Sequence, residues 1–140
     1  MQHVAELEAT LLPLFREEAE QVRREYPGFK FNVWSSSVGG ATTYQGHNLG
    51  LECIFPDAAN HEADCVAACV GVKHLTTEPM LSEVEVEWGS GNHPEVRLDL
   101  LEHAVPLTRD ALHNVVAQLP ELFIAFRTAL RAWASRRTRA

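Results

Sequence analysis

The hydrophobic period of this chain changes twice, and that constrains its fold more than any other feature. From residue 3 to 26 the apolar side chains Val4, Leu7, Leu11, Phe15, Ala19, Val22 and Tyr26 recur every three or four positions, the spacing of one helical face. From 29 to 101 the period is two. From 107 to 136 it is helical again: Leu112, Leu119, Phe126 and Trp133 fall seven apart, with Val115/Val116, Leu122/Phe123 and Ala129/Leu130 between them. A sheet with one apolar face must bury it, and two amphipathic helices are available to do so. The pattern therefore predicts an α+β fold: a four- to five-stranded antiparallel meander with the N-terminal and C-terminal helices packed on one face, a two-layer sandwich.

The punctuation supports this order. Pro27-Gly28 ends the first helix, and Thr108 or Asp110 suits the cap of the last. Pro13 and Pro120 fall inside the helical stretches, where a proline costs about 3 kcal/mol. Each implies a kink or a break, and Thr10 offers a cap for a helix restarting near 10–13. Within 29–101, Phe29, Phe31 and Val33 alternate with Lys30, Asn32 and Trp34. Leu49, Leu51, Cys53 and Phe55 share a face. Val84, Val86 and Trp88 point inward against Glu83, Glu85 and Glu87 outward, and Val96, Leu98 and Leu100 oppose Arg97 and Asp99. Gly39-Gly40, PDAANHE, TTEP and GSGNHP mark turns and loops. The second face of the sheet carries Glu52, Lys73, Glu83, Glu85, Glu87, Arg97 and Asp99. It is either solvated or the place where something docks.

At 140 residues the chain is expected to be one domain, 1–140. No apolar run approaches a membrane span, and MQHVAELEATLLPLFREEAE lacks the basic start and unbroken apolar core of a signal peptide, so the expected location is cytoplasmic. Three cysteines with no framework spacing agree with a reducing compartment. The formal charge of −7 argues against general nucleic-acid binding, which depends on neutralising phosphates. The charge is uneven: residues 1–121 hold all 19 acids against seven cations, and Arg127, Arg131, Arg136, Arg137 and Arg139 follow with no acid. Cations at a helix end suit its dipole, and they also suit an anionic partner. The candidate partner-binding residues are thus the comb Glu83, Glu85 and Glu87, for a basic partner, and Arg127 and Arg131 on the basic side.

The segment DCVAACVGVKH (64–74) raises the question of a metal or redox site. In a strand, Cys65 and Cys69 share a face but lie about 13 Å apart, too far for one zinc, whose sulfur ligands approach to roughly 4 Å. A disulfide is excluded too, since it needs Cα atoms within about 7 Å. Helical geometry would bring the pair to about 6 Å and reopen a site with His61 or His74. Three valines and the lead into TTEP favour a central hairpin strand, with the cysteines as small packed residues. Neither a P-loop nor a GxSxG elbow is present. Ser35, Ser36 and Ser37 with His47 can be drawn as nucleophile and base, but no spacing identifies a third partner. No catalytic residue, metal ligand or cofactor is assigned. Trp34, Tyr44, His47 and Trp88 are the candidate ligand-binding residues, should a pocket lie between sheet and helices.

Size, acidity and helix–sheet–helix order are similar to those of small acidic bacterial chaperones for secreted effectors and of some toxin-neutralising immunity proteins. The likeness is one of dimensions, and the middle helix that usually interrupts the sheet of those chaperones has only a loop at 56–62 as its counterpart. It implies a small non-enzymatic binding or interaction protein, with a protein partner or self-association as a dimer. The alternative is a small enzyme or ligand-binding domain.

Overall fold

The first apolar stripe forms one unbroken helix, α1 (Gln2–Glu25), and the last forms another, α2 (Arg109–Arg137). A computed structural model describes residues 2–38, 46–54, 64–74, 78–90 and 93–137. Both helices run through their prolines, so neither breaks and Thr10 caps nothing. Pro13 and Pro120 are exposed, so neither ring is driven into the core. Thr108 caps α2, its Oγ1 accepting the Ala111 N–H at 3.1 Å. After α1 the chain turns at Pro27-Gly28, where the rings of Tyr26 and Phe29 stack at 5.6 Å.

The period-two stretch is the meander that alternation implies. Strands β1 (Lys30–Val38), β2 (Gly46–Ile54), β3 (Asp64–Lys73), β4 (Met80–Ser90) and β5 (His93–Asp99) pair antiparallel in chain order. A two-residue strand, β6 (Val105–Pro106), pairs with the start of β4. Two bulges adjust the register. On β4, Ser82 is the extra residue where Gly71 faces Glu83 and Val72 faces Leu81, and its hydroxyl donates to Gly71 O at 3.1 Å. On β5, Arg97 is the extra residue between Val96 and Leu98.

Helix α1 lies across β1 and β2, and α2 across β3 and β4. Alternation puts Phe31, Leu49, Leu51, Cys53, Val66, Val70, Val84 and Val86 on the helix side, all buried. From α1 come Leu7, Leu11, Phe15 and Val22; from α2, Val115, Leu122, Phe126 and Leu130. The helices meet through an edge-to-face contact of Phe15 and Phe123 at 5.4 Å. No helix among the described residues is long and apolar enough to cross a membrane. The Gly39-Gly40 turn, the PDAANHE loop, Tyr44, Phe55 and His61 lie outside the described residues.

Candidate functional site

With both helices on one face, no described element covers the other, and the strand register decides what stands there. Three rows cross the sheet. Trp34 faces Gly50, Gly50 faces Cys69, Cys69 faces Glu85, and Glu85 faces Asp99. On one side run Asn32, Glu52, Ala67 and Glu87; on the other, Ser36, Asn48, Gly71 and Glu83. The middle of the sheet is therefore floored by Gly50, Ala67, Cys69 and Gly71, with long side chains around them.

The floor is filled from its margins. The Trp34 indole approaches Gly50: a methyl group there would come 2.7 Å from Trp34 Cη2 and 3.1 Å from Cys69 Cα, and would clash with Ala68 O. Only glycine permits that approach. Gly71 is covered in the same way, since a methyl there would lie 2.6 Å from Asn48 Oδ1 and 3.1 Å from Glu83 Oε2. Consequently Cys69 is only 5% exposed although no helix packs over it.

Crowded, half-buried carboxylates hold protons. Burial, followed by the charges of Glu83, Glu87 and Asp99, pushes Glu85 up to about 7. Burial and Glu83 also raise Glu87. The Cys69 thiol donates to Glu85 Oε1 at 3.9 Å, and burial plus the three glutamates push it far up. A thiol so protonated is no nucleophile. The Cys69 sulfur and the Glu83 and Glu85 carboxylates come within 4.8 Å of one another, so these three could hold a metal ion, which would have to displace that thiol proton. The feature most available to a partner is a face that carries an aromatic surface and a group of carboxylates, which suits a segment with ammonium or guanidinium groups.

The other sequence candidates stand elsewhere. Cys65 and Cys69 lie four apart on one strand, β3, too far apart to share a metal ion. His47 is on the helix side, 8% exposed, with Nε2 2.8 Å from Ser35 Oγ and 3.5 Å from Glu8 Oε2, and Nδ1 3.0 Å from Ser37 Oγ. The serine–histidine pairing drawn from the sequence thus exists, and Glu8 of α1 joins it. The acid and Ser35 share one ring nitrogen, however, so the carboxylate does not orient the imidazole as in a hydrolytic triad. None of the four main clefts among the described residues is lined by Ser35, Ser37 or His47. The arrangement is a polar plug between sheet and α1.

Trp88 is also on the helix side, tilted against Trp133 at 5.4 Å. Arg127 is engaged within the chain: Nε and Nη2 each lie 2.7 Å from a Glu18 oxygen, Nη1 is 3.0 Å from Glu25, and Nη2 is 2.9 Å from Gln21. Hydrogen bonding to Glu18, foremost, raises its pKa further. Arg131 is exposed on the helix layer, across the sheet from the acidic face. The structure thus joins one ligand candidate, Trp34, to the comb Glu83, Glu85 and Glu87, and leaves His47, Trp88, Arg127 and Arg131 apart from them. Sequence reasoning placed Glu52 on this face but missed Gly50, Gly71 and Cys69 as parts of this site. The available signal was the run of small residues at alternate positions of β3: Cys65, Ala67, Cys69 and Gly71.

No protein-family model, curated protein or solved structure matches the chain.

Proposed function

We propose that this chain is a non-enzymatic binding protein, chaperone-like or immunity-like in kind, whose uncovered sheet face receives a cationic segment of a protein partner. The supporting observation is the Trp34 indole over Gly50 on the same uncovered face as Glu83, Glu85 and Glu87. In the free chain burial and the charge of Glu83 raise the proton affinity of Glu85 and Glu87. A lysine or arginine side chain seated among them relieves that repulsion, and the indole adds a cation–π contact worth about 0.5–2 kcal/mol. Burial of the Cys69 thiol among carboxylates supports recognition over covalent chemistry.

The test is a titration with a short arginine- and lysine-containing peptide, followed by tryptophan fluorescence, with an acidic peptide as control. The expected result is saturable binding of the basic peptide alone, weakened about tenfold, or roughly 1.4 kcal/mol, by Trp34→Ala and by the pair Glu85→Gln/Glu87→Gln. Binding should tighten from pH 6 to pH 8 as Glu85 ionises. Binding indifferent to both sets of substitutions, or no binding, removes the reading. Native mass spectrometry of the same samples reports whether the partner is a second copy of the chain.

A further inference from the structure

On the helix side a second site presents itself. A cleft of about 550 Å³ runs between the N-terminal half of α2 and the end of the sheet where β6 pairs with β4. Its floor is apolar: Leu81 and Val115 are buried, and Leu101 and Val105 are half-buried. Its wall is a single stripe of α2. Asp110, Asn114, Gln118 and Glu121 follow at steps of four, four and three, so they fall within about 80° of one another around the helix.

The charge on this wall is of one sign. Asp110 and Glu121 are the charged residues among those lining the cleft, and no cation lines it. Neither forms an ion pair among the described residues, and the side chains of Asn114 and Gln118 make no hydrogen bond there. Eleven residue steps separate the two positions by about 16 Å along the helix axis. One metal ion cannot bridge that distance, because its oxygen ligands must all lie within about 2.6 Å of it. A small ammonium ion meets one carboxylate and ignores the apolar floor. An elongated molecule with cationic ends and an aliphatic body matches every part of the cleft together.

We propose that this cleft binds a linear polyamine lying along α2. Its terminal ammonium groups would sit at Asp110 and Glu121, and its inner nitrogens would donate to the side-chain carbonyls of Asn114 and Gln118. Its methylene segments would cover Leu101 and Val105. Spermine, fully extended, spans a comparable length. The site does not depend on the acidic sheet face: it stands on the other side of the sheet and shares no residue with it.

The experiment titrates the full chain with spermine at about 0.15 M salt, where non-specific attraction of a polycation to an acidic chain is largely screened. Two-dimensional amide NMR locates the change, and 1,3-diaminopropane and Mg²⁺ serve as short cationic controls. The expected result is saturable one-to-one binding with shifts in residues 105–121. Asp110→Asn/Glu121→Gln should weaken it about tenfold, while Trp34→Ala and Glu85→Gln leave it unchanged. Both mutated carboxylates are exposed, so the fold should survive, and unchanged amide positions in the sheet check that. Shifts centred on β3 and β4 around Cys69 overturn the proposal, as does a double variant that binds like the parent. Equal affinity for 1,3-diaminopropane also overturns it, because the length of the cleft would then do nothing.

Discussion

Glu85 is the residue at which position and chemistry are most closely tied. It faces Cys69 across a trough of small side chains, and its proton is held to about pH 7 against 4.5 for a free carboxyl. An unfolded chain releases that proton near 4.5, so folding takes up a proton between the two values. The contribution of Glu85 to stability is accordingly fullest below pH 4.5, falls as pH rises towards 7, and is flat beyond. The group is half-exposed, and screening by water reduces the effect to about 1 kcal/mol. Glu85→Gln should leave stability nearly unchanged at pH 4 and raise it by that amount at pH 8. Urea unfolding of both proteins at both pH values measures it, and equal stabilities at pH 8 would show that the carboxyl is not under strain. How much of this was legible from the sequence follows from what alternation encodes. Alternation placed Glu83, Glu85 and Glu87 on the outer face because each strand carries its own in–out pattern. It could not place Trp34 against Gly50, because that meeting depends on the register between two strands. Nor could it show that Ser35, Ser37 and His47 face α1, since polar residues on a core face break the rule by which faces are read.

At the level of elements, the seam between α1 and α2 holds a charge pair that helical periodicity conceals. Glu18 lies one turn beyond Phe15 on the inner side of α1 and is only 6% exposed, although its polarity assigns it to the solvent side. Arg127 lies one turn beyond Phe123 and meets Glu18 through two 2.7 Å bonds. Such a bidentate pair compensates the burial of Glu18, and removal of half-buried Arg127 strands that carboxylate. Arg127→Met should therefore cost about 3–5 kcal/mol by leaving Glu18 buried without its partner. The double change Glu18→Met/Arg127→Met should recover most of that loss. Thermal unfolding of the two single variants and the double variant forms a complete cycle. A double variant no more stable than Arg127→Met would mean that the pair contributes through helix geometry instead. Both helices were readable from their stripes, and their ends from Pro27-Gly28 and Thr108. Their continuity through Pro13 and Pro120 was not, because a proline's cost depends on whether its ring faces the core or solvent, as both do here.

On the scale of the whole molecule, the distribution of charge follows from the layering. The sheet has one face covered by two helices and one face without a cover, and the half-buried glutamates crowd the uncovered one. A chain with a formal charge of −7 pays for this in self-repulsion, which salt relieves. Raising ionic strength from about 0.01 M to about 1 M shortens the screening length from about 30 Å to about 3 Å. The half-buried carboxylates two residues apart on one strand then repel less, whereas the Arg127 bond to the buried Glu18 carboxylate keeps most of its attraction. Salt should therefore stabilise this protein, where for a chain held by surface ion pairs it would weaken them. At pH 8 the expected gain is about 1 kcal/mol, a rise in Tm of about 3 °C for a chain of this size. At pH 6 the gain should be smaller, because Glu85 is by then largely protonated and there is less charge to screen. The triple variant Glu83→Gln/Glu85→Gln/Glu87→Gln should show the smaller response at both pH values. If the triple variant responds to salt as the parent does at pH 8, the repulsion lies elsewhere on the acidic first 121 residues, and the open face is not where this chain concentrates its charge.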